Sequence, residues 1–333
     1  MFELRCDPVM GRQVLISEER ALRPNDFSGR ETANDTNACE VACPFCVGHE
    51  ADTPEALLEV TAETGEWQVR VVPNKYPAVS LAAGQAEGSP FGAHEVIIES
   101  PRHTRDITEL SVEEFARVLR VYRERLRDWS TDERIRYCSI FKNVGNPAGA
   151  SLAHVHSQLI ALPEVPPLVV AELAGAKQYQ EQHGSNLFSQ IIAQELDHRS
   201  RLVIESDHFV AFCPYAARQP FETWILPRAQ ESSFQQLTDA DSVELSQLLI
   251  KLIAALQTQL SPLSYNLILH TAPFSNETAD YGYYHWHFEL VPRSAKLAGF
   301  EWGTGMHINS LSPERAADLL RVASCQYSVA SIR

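Results

Sequence analysis

Residues 151–163, SLAHVHSQLIALP, place two histidines one residue apart at the head of an apolar run. Side chains alternate across a β-strand, so His154, His156 and Gln158 share one face, and Val155, Ser157 and Leu159 take the other. The preceding residues 141–150, FKNVGNPAGA, bring three small residues, Ala148, Gly149 and Ala150, close to Asn143 and Ser151. Such a loop lets backbone N–H groups approach an anion closely. A lone histidine here is most simply a half-buried polar residue. The pair, the small-residue loop and Gln158 on the same face together point to a site beside which a phosphate can lie.

Working outward, a second His-x-His strand occurs at 285–292, HWHFELVP. Residues 94–119 also resemble residues 221–246, with Glu95 on Glu222 and Leu110 on Leu237 at one constant offset. Each segment reads as a β-rich run, a polar loop and an amphipathic helix opening at Ser111 or Thr238, the helices covering about 111–128 and 239–260. Each helix leads to a strand (137–145 and 265–273) and then to a His-x-His strand. The order strand, helix, strand, strand thus occurs twice, which argues for duplication. The expected fold class is α+β, a duplicated unit with a mostly antiparallel sheet and helices packed on one face. The expected domains are 1–165 and 166–333. Residues 164–200 read as a connector with its own helix, and the tail ends in a helix over about 312–324.

Composition narrows the function. The 333 residues carry 28 basic and 43 acidic side chains, net −15, which disfavours nucleic acid as a partner but not a small phosphorylated substrate held by a few local cations. No apolar run is long enough to span a membrane, and the first residues lack a signal-peptide layout, so a cytoplasmic enzyme is expected. Seven cysteines, only three of them clustered, argue against a disulfide framework and for reduced thiols with one metal site.

ACPFC (42–46) supplies Cys43-x-x-Cys46, a spacing that lets one tight turn put both sulfurs on a zinc tetrahedron. Two more ligands are needed. His103 and one histidine of the HVH pair are the natural candidates, and His49 and Cys39 compete with them. One histidine then ligates metal and fixes the strand. The other is left as a nucleophile, since a neutral imidazole is available near pH 7. It can attack phosphorus and hold a nucleotidyl group covalently, with Gln158 hydrogen-bonded to a phosphate oxygen. Lys75 and Lys142 read equally well as phosphate clamps or as exposed strand-end lysines. Trp286 reads as core or dimer interface rather than pocket lining, and the second His-x-His as a relic with a structural or sugar-end role.

Taken together, GNPAGASLAHVHSQ, the upstream CPFC and the downstream HTAPF and GFEWGTG resemble the galactose-1-phosphate uridylyltransferase family, a branch of the histidine-triad superfamily with two such folds in one chain. The likeness runs from about Arg5 to the last helix. It implies a duplicated histidine-triad-like fold and ping-pong transfer of a nucleoside monophosphate through a covalent histidine. By the resemblance, His156 takes the nucleophile position and Gln158 its phosphate-binding helper, while Cys43, Cys46, His103 and His154 match the zinc ligands. Arg20, Asn74, Asn143, Gly149 and Ser151 fall on nucleotide- or phosphate-contacting positions. Lys296, Phe300 and Glu301 fall in the sugar-binding segment. A homodimer is also implied.

Departures from the family pattern bear on the substrate. HVH replaces the usual HPH, Phe300 stands where a tyrosine contacts the hexose, and His307 stands near a usual glutamine. A second divalent-metal site is implied near His270 and His287, with Glu289 in place of a histidine. The leading expectation is a UDP-glucose–hexose-1-phosphate uridylyltransferase. The alternatives are an enzyme that phosphorolyses ADP-glucose, with inorganic phosphate as acceptor, and a non-catalytic zinc-stabilised nucleotide-binding module.

Overall fold

The computed structural model describes residues 2–22, 43–81, 91–274 and 281–326. The chain starts with β1 (Phe2–Cys6) and β2 (Gln13–Ser17). The first half then gives β3 (Leu58–Thr61), β4 (Trp67–Pro73), β5 (Ala93–Ile98), α1 (Val112–Trp129), β6 (Tyr137–Val144) and β7 (His156–Leu162). The connector carries two helices, α2 (Pro167–His183) and α3 (Leu187–His198), where one was expected. The second half repeats the pattern with β8 (Leu202–Glu205), β9 (Phe209–Phe212), β10 (Thr223–Pro227), α4 (Asp239–Gln259), β11 (Tyr265–His270) and β12 (His287–Pro292). The described chain closes with α5 (Gly299–Thr304), β13 (His307–Asn309) and α6 (Pro313–Gln326). None of the described helices is long and apolar enough to cross a membrane.

β3 to β12 form one antiparallel sheet in the order β3-β4-β5-β7-β6-β11-β12-β10-β9-β8. Read outward from the central β6·β11 pair, the two sides list matching strands, so the duplication appears as an approximate two-fold. Register corrects the alignment expected from sequence. Gln158 faces Val96 across β5·β7, and Glu289 faces Trp224 across β10·β12. Matching Gln158 to Glu289 therefore matches Val96 to Trp224 and His94, not Glu95, to Glu222. A slip of one residue moves a strand side chain to the other face. Glu95 accordingly lies under α1, accepting from Arg125 Nε at 2.9 Å and Trp129 Nε1 at 2.9 Å. Glu222 accepts from Arg218 on the opposite side of the sheet.

Helices α1, α4 and α6 cover one face, as the duplication predicts. Phe115, Leu119, Tyr122 and Leu126 recur at helical spacing on α1 and are fully buried in the main core. Truncating such a leucine costs about 2–5 kcal/mol. Ser111 and Glu114 form a reciprocal capping box at the start of α1, whereas the Thr238 hydroxyl caps α4 by accepting from the Asp241 N–H and donating to its carboxylate. Helices α2 and α3 cover the opposite face, over the second half only, through Leu173, Phe188, Phe212 and Trp224. Among the described residues, no helix lies over the same face of the first half. There a small cluster of Trp67, Val72, Val96 and Ile98, with Phe45 against it, floors an open cavity. A separate small sheet pairs β1 with β2 and β2 in parallel with β13.

Candidate active site

The tight turn at 43–46, closed by the Cys46 N–H donating to the Cys43 carbonyl at 3.1 Å, puts both sulfurs on one side. His154, just before β7, points its Nδ1 at them, 3.6 Å from each. His103 Nδ1 lies 3.3 Å from Cys46 Sγ. All four ligand atoms fall within 4.8 Å of one another. Zn–S and Zn–N bonds of about 2.3 and 2.0 Å set a tetrahedral S···N edge of about 3.6 Å, so the donor set fits zinc. The His154 ring is oriented for it. Its Nε2–H donates to the Ser100 carbonyl at 2.8 Å, leaving the Nδ1 lone pair toward the sulfurs. Burial pushes His154 down to about 4, which keeps the ring in its ligand form. His49 pairs with Asp52 instead, and Cys39 lies outside the described residues.

His156 opens β7. It is 8% exposed, and its Nδ1–H donates to the His154 carbonyl at 2.7 Å. The lone pair is therefore on Nε2, and the ring lines a cavity of about 720 Å³ with Phe45, Thr53, Asn74, Tyr76, Ser151 and Gln158. Burial, with Lys142 adding to it, lowers its pKa and keeps it neutral at pH 7. Phe45 packs edge-on against both histidine rings, at 5.4 and 5.9 Å, and separates metal cluster from cavity.

The other expected residues divide. Asn74, Ser151 and Gln158 line the cavity. Asn143 and Gly149 meet at the loop leading to Ser151. The Asn143 oxygen accepts from Asn266 at 2.8 Å, turning its NH₂ toward Gly149, whose φ of +88° suits a residue without Cβ. Arg20 sits on an exposed 3₁₀ turn and does not line the cavity. Lys296 lies beside Asn146 and Pro147, outside the cavity. Phe300 is exposed on α5, where Glu301 caps the helix by accepting the Ala298 N–H at 3.0 Å. Lys142 is not a phosphate clamp. It is 1% exposed on the helix-covered face, donating to Glu99 at 2.7 Å and to the His156 carbonyl at 3.1 Å. Lys75 does line the cavity, and Trp286 is core, fully buried against Phe234 and Phe288.

In the second half, His270 and His287 come together with Glu172 of α2, a residue that no motif marks. His287 repeats the His156 geometry, donating from Nδ1 to the His285 carbonyl at 3.1 Å. Its Nε2, His270 Nε2 and Glu172 Oε1 are buried without hydrogen-bond partners, so the three residues can hold a divalent metal. Glu289 is not in that group. It pairs with Arg218, which also holds Glu222. With no metal bound, burial opposes charge on His270, but Glu172 and Glu289, the latter 3.5 Å from its Nε2, outweigh it and hold the ring up at about 10, so a metal would have to displace that proton.

The comparisons with known proteins bear on the fold and the family. Residues 82–327 match a family model described as a domain of unknown function (DUF4921). The chain is 36% identical to the ADP-glucose phosphorylase of Arabidopsis thaliana, over 97% of this chain and 93% of that protein. It is 27% identical to the galactose-1-phosphate uridylyltransferase of Thermotoga maritima, over 96% and 98% respectively. The crystal structure of an Arabidopsis thaliana ADP-glucose phosphorylase with bound ADP-glucose superposes with a TM-score of 0.85, at 36% identity, covering 96% of this chain and 99% of that one. A uridylyltransferase structure follows at a TM-score of 0.74 and 30% identity, covering 98% and 100%.

Proposed function

The chain belongs to the galactose-1-phosphate uridylyltransferase family of the histidine-triad superfamily, and from that membership we propose that it is a phosphorylase of ADP-glucose. The observation that carries the chemistry is the unprotonated Nε2 of His156 facing an open cavity, with Nδ1 bound to backbone. In the first step this nitrogen attacks the α-phosphorus of ADP-glucose. A P–N bond forms, the P–O bond to glucose 1-phosphate breaks, and the AMP group stays on the enzyme. In the second step an oxygen of inorganic phosphate attacks the same phosphorus, releasing ADP and restoring the imidazole. Gln158 supports the charge that develops on the phosphate oxygens. Zinc held by Cys43, Cys46, His103 and His154 fixes the strand bearing the nucleophile.

Two facts favour this reading over the uridylyltransferase expected first. Identity is higher to the ADP-glucose phosphorylase than to the T. maritima uridylyltransferase. Phe300 also lacks the hydroxyl that the resemblance assigns to a hexose contact, and a site built around such a hydroxyl can discriminate by about 10⁴. The reading includes a homodimer, which light scattering in solution tests. The experiment for the reaction is incubation with adenine-labelled ADP-glucose and uracil-labelled UDP-glucose, followed by phosphate or galactose 1-phosphate. The expected result is acid-labile protein label from ADP-glucose, discharged by phosphate as ADP. Label from UDP-glucose discharged by galactose 1-phosphate restores the uridylyltransferase. No label from either leaves the non-catalytic module.

A further inference from the structure

Resting on the nucleotidyl-transfer reading, we propose that His94 is a positioning residue that fixes which end of the Gln158 side-chain amide faces the phosphate. The argument starts from a group that cannot turn. The backbone N–H of Ala78 can only donate, and it lies 3.2 Å from His94 Nδ1. Nδ1 is therefore the acceptor nitrogen, and the ring proton sits on Nε2. That N–H needs an acceptor, and Gln158 Oε1 stands 2.8 Å away. With its oxygen committed, Gln158 offers its NH₂ to the cavity that it lines beside His156. An inverted amide would present a carbonyl oxygen to an anion, replacing attraction with repulsion.

The Asn74 amide nitrogen also lies 3.1 Å from His94 Nε2, but it is a donor facing the Nε2–H and makes no hydrogen bond in the tautomer that Ala78 fixes, so the ring proton goes to the shorter Gln158 contact. The Asn74 side-chain oxygen is already taken by the Tyr76 N–H at 2.8 Å, and its backbone N–H donates to the His94 carbonyl at 2.7 Å. One ring thus sits between the 74–78 loop and the amide that faces the substrate. The second half provides an internal contrast. There the counterparts of His94 and Gln158 are Glu222 and Glu289, two acceptors that share the Arg218 guanidinium.

The test uses His94→Gln and His94→Glu in the full chain, with single-turnover labelling from ADP-glucose in the absence of phosphate. Glutamine can accept from Ala78 and donate to Gln158, whereas a carboxylate can only accept and forces the Gln158 amide to turn over. H94Q is expected to label within about tenfold of the natural protein, the worth of one rearranged neutral hydrogen bond. H94E is expected to fall about 10²-fold below H94Q, with little change in the half-saturating ADP-glucose concentration. In a Gln158→Ala background the step from H94Q to H94E shrinks to about twofold, because the amide it acts through is gone. Circular dichroism and zinc content confirm that all variants fold. Equal rates for H94Q and H94E, or an H94E loss that persists without Gln158, overturn the proposal alone. A natural protein that takes no label overturns the nucleotidyl-transfer reading, and this proposal with it.

Discussion

At corresponding sheet positions the first half carries His94, His156 and Gln158, and the second carries Glu222, His287 and Glu289. Both inner histidines donate from Nδ1 to the carbonyl two residues back, at 2.7 and 3.1 Å. What differs is the cover. His156 opens on a cavity, while His287 is fully buried, stacked on His270 and packed against Phe188 of α3. Backbone geometry alone therefore does not decide whether the ring meets an open cavity. The connector helices bury one copy of the motif, and among the described residues no helix covers the other, so its Nε2 faces the cavity.

The largest expected effect tests that asymmetry directly. His156→Ala should lower nucleotidyl transfer by about 10⁴-fold or more and abolish covalent labelling. His287→Ala should keep the label and lose thermal stability. Labelling that survives H156A and fails in H287A would exchange the roles assigned to the two halves.

Next comes the metal. Cys43→Ala should remove zinc from the first half and cost several kcal/mol of stability. Zinc content by atomic absorption and urea unfolding check it, and unchanged zinc in C43A would move the metal elsewhere. Arg218→Met sharpens the contrast from the other side. It leaves buried Glu222 without its cation and Glu289 with only His270 at 3.5 Å and Arg12 at 4.0 Å, and should cost about 3–5 kcal/mol in urea unfolding. Adding Glu289→Gln should recover a large part, because Gln158 at the matching position needs no cation.

The smallest effects lie at the paired helix starts. Ser111→Ala should cost about 1 kcal/mol and Thr238→Ala at least as much, since the Glu114 bond to the Ser111 backbone survives the first change while Thr238 loses its bonds to both the Asp241 N–H and carboxylate. Burial works to raise the Glu114 carboxyl, but its hydrogen bonds to Ser111 and Arg102 win and hold its pKa below the ordinary value. Its contribution is therefore present above the unfolded carboxylate pKa of about 4.3 and lost as pH falls through the depressed folded value. Glu114→Gln should flatten that part of the acid unfolding curve.

Much of this was legible in the sequence because periodicity and spacing are local. Both long helices fall within a residue or two of their expected bounds, and Cys43-x-x-Cys46 announced a metal turn. The choice of His103 and His154 over His49 depended on how β5 and β7 pair, which spacing does not encode. The offset between the halves was misjudged by one because Glu95 and Glu222 look alike as letters. Only the ladder shows that they face opposite layers. Glu172 was missed for a similar reason, since a glutamate in a connector helix carries no mark of what lies beneath it. Lys142 misled because a lysine at a strand end is usually solvated, and its partner Glu99 is forty-three positions away.

The parallel pairing of β13 with β2 joins His307–Asn309 to Val14–Ile16. The Arg5 guanidinium also holds Glu314 at 3.0 Å, and Glu18 accepts from Ser312 at 2.7 Å. During synthesis this hairpin must wait for about 290 further residues before it gains its third strand, and until then its edge is open to wrong partners.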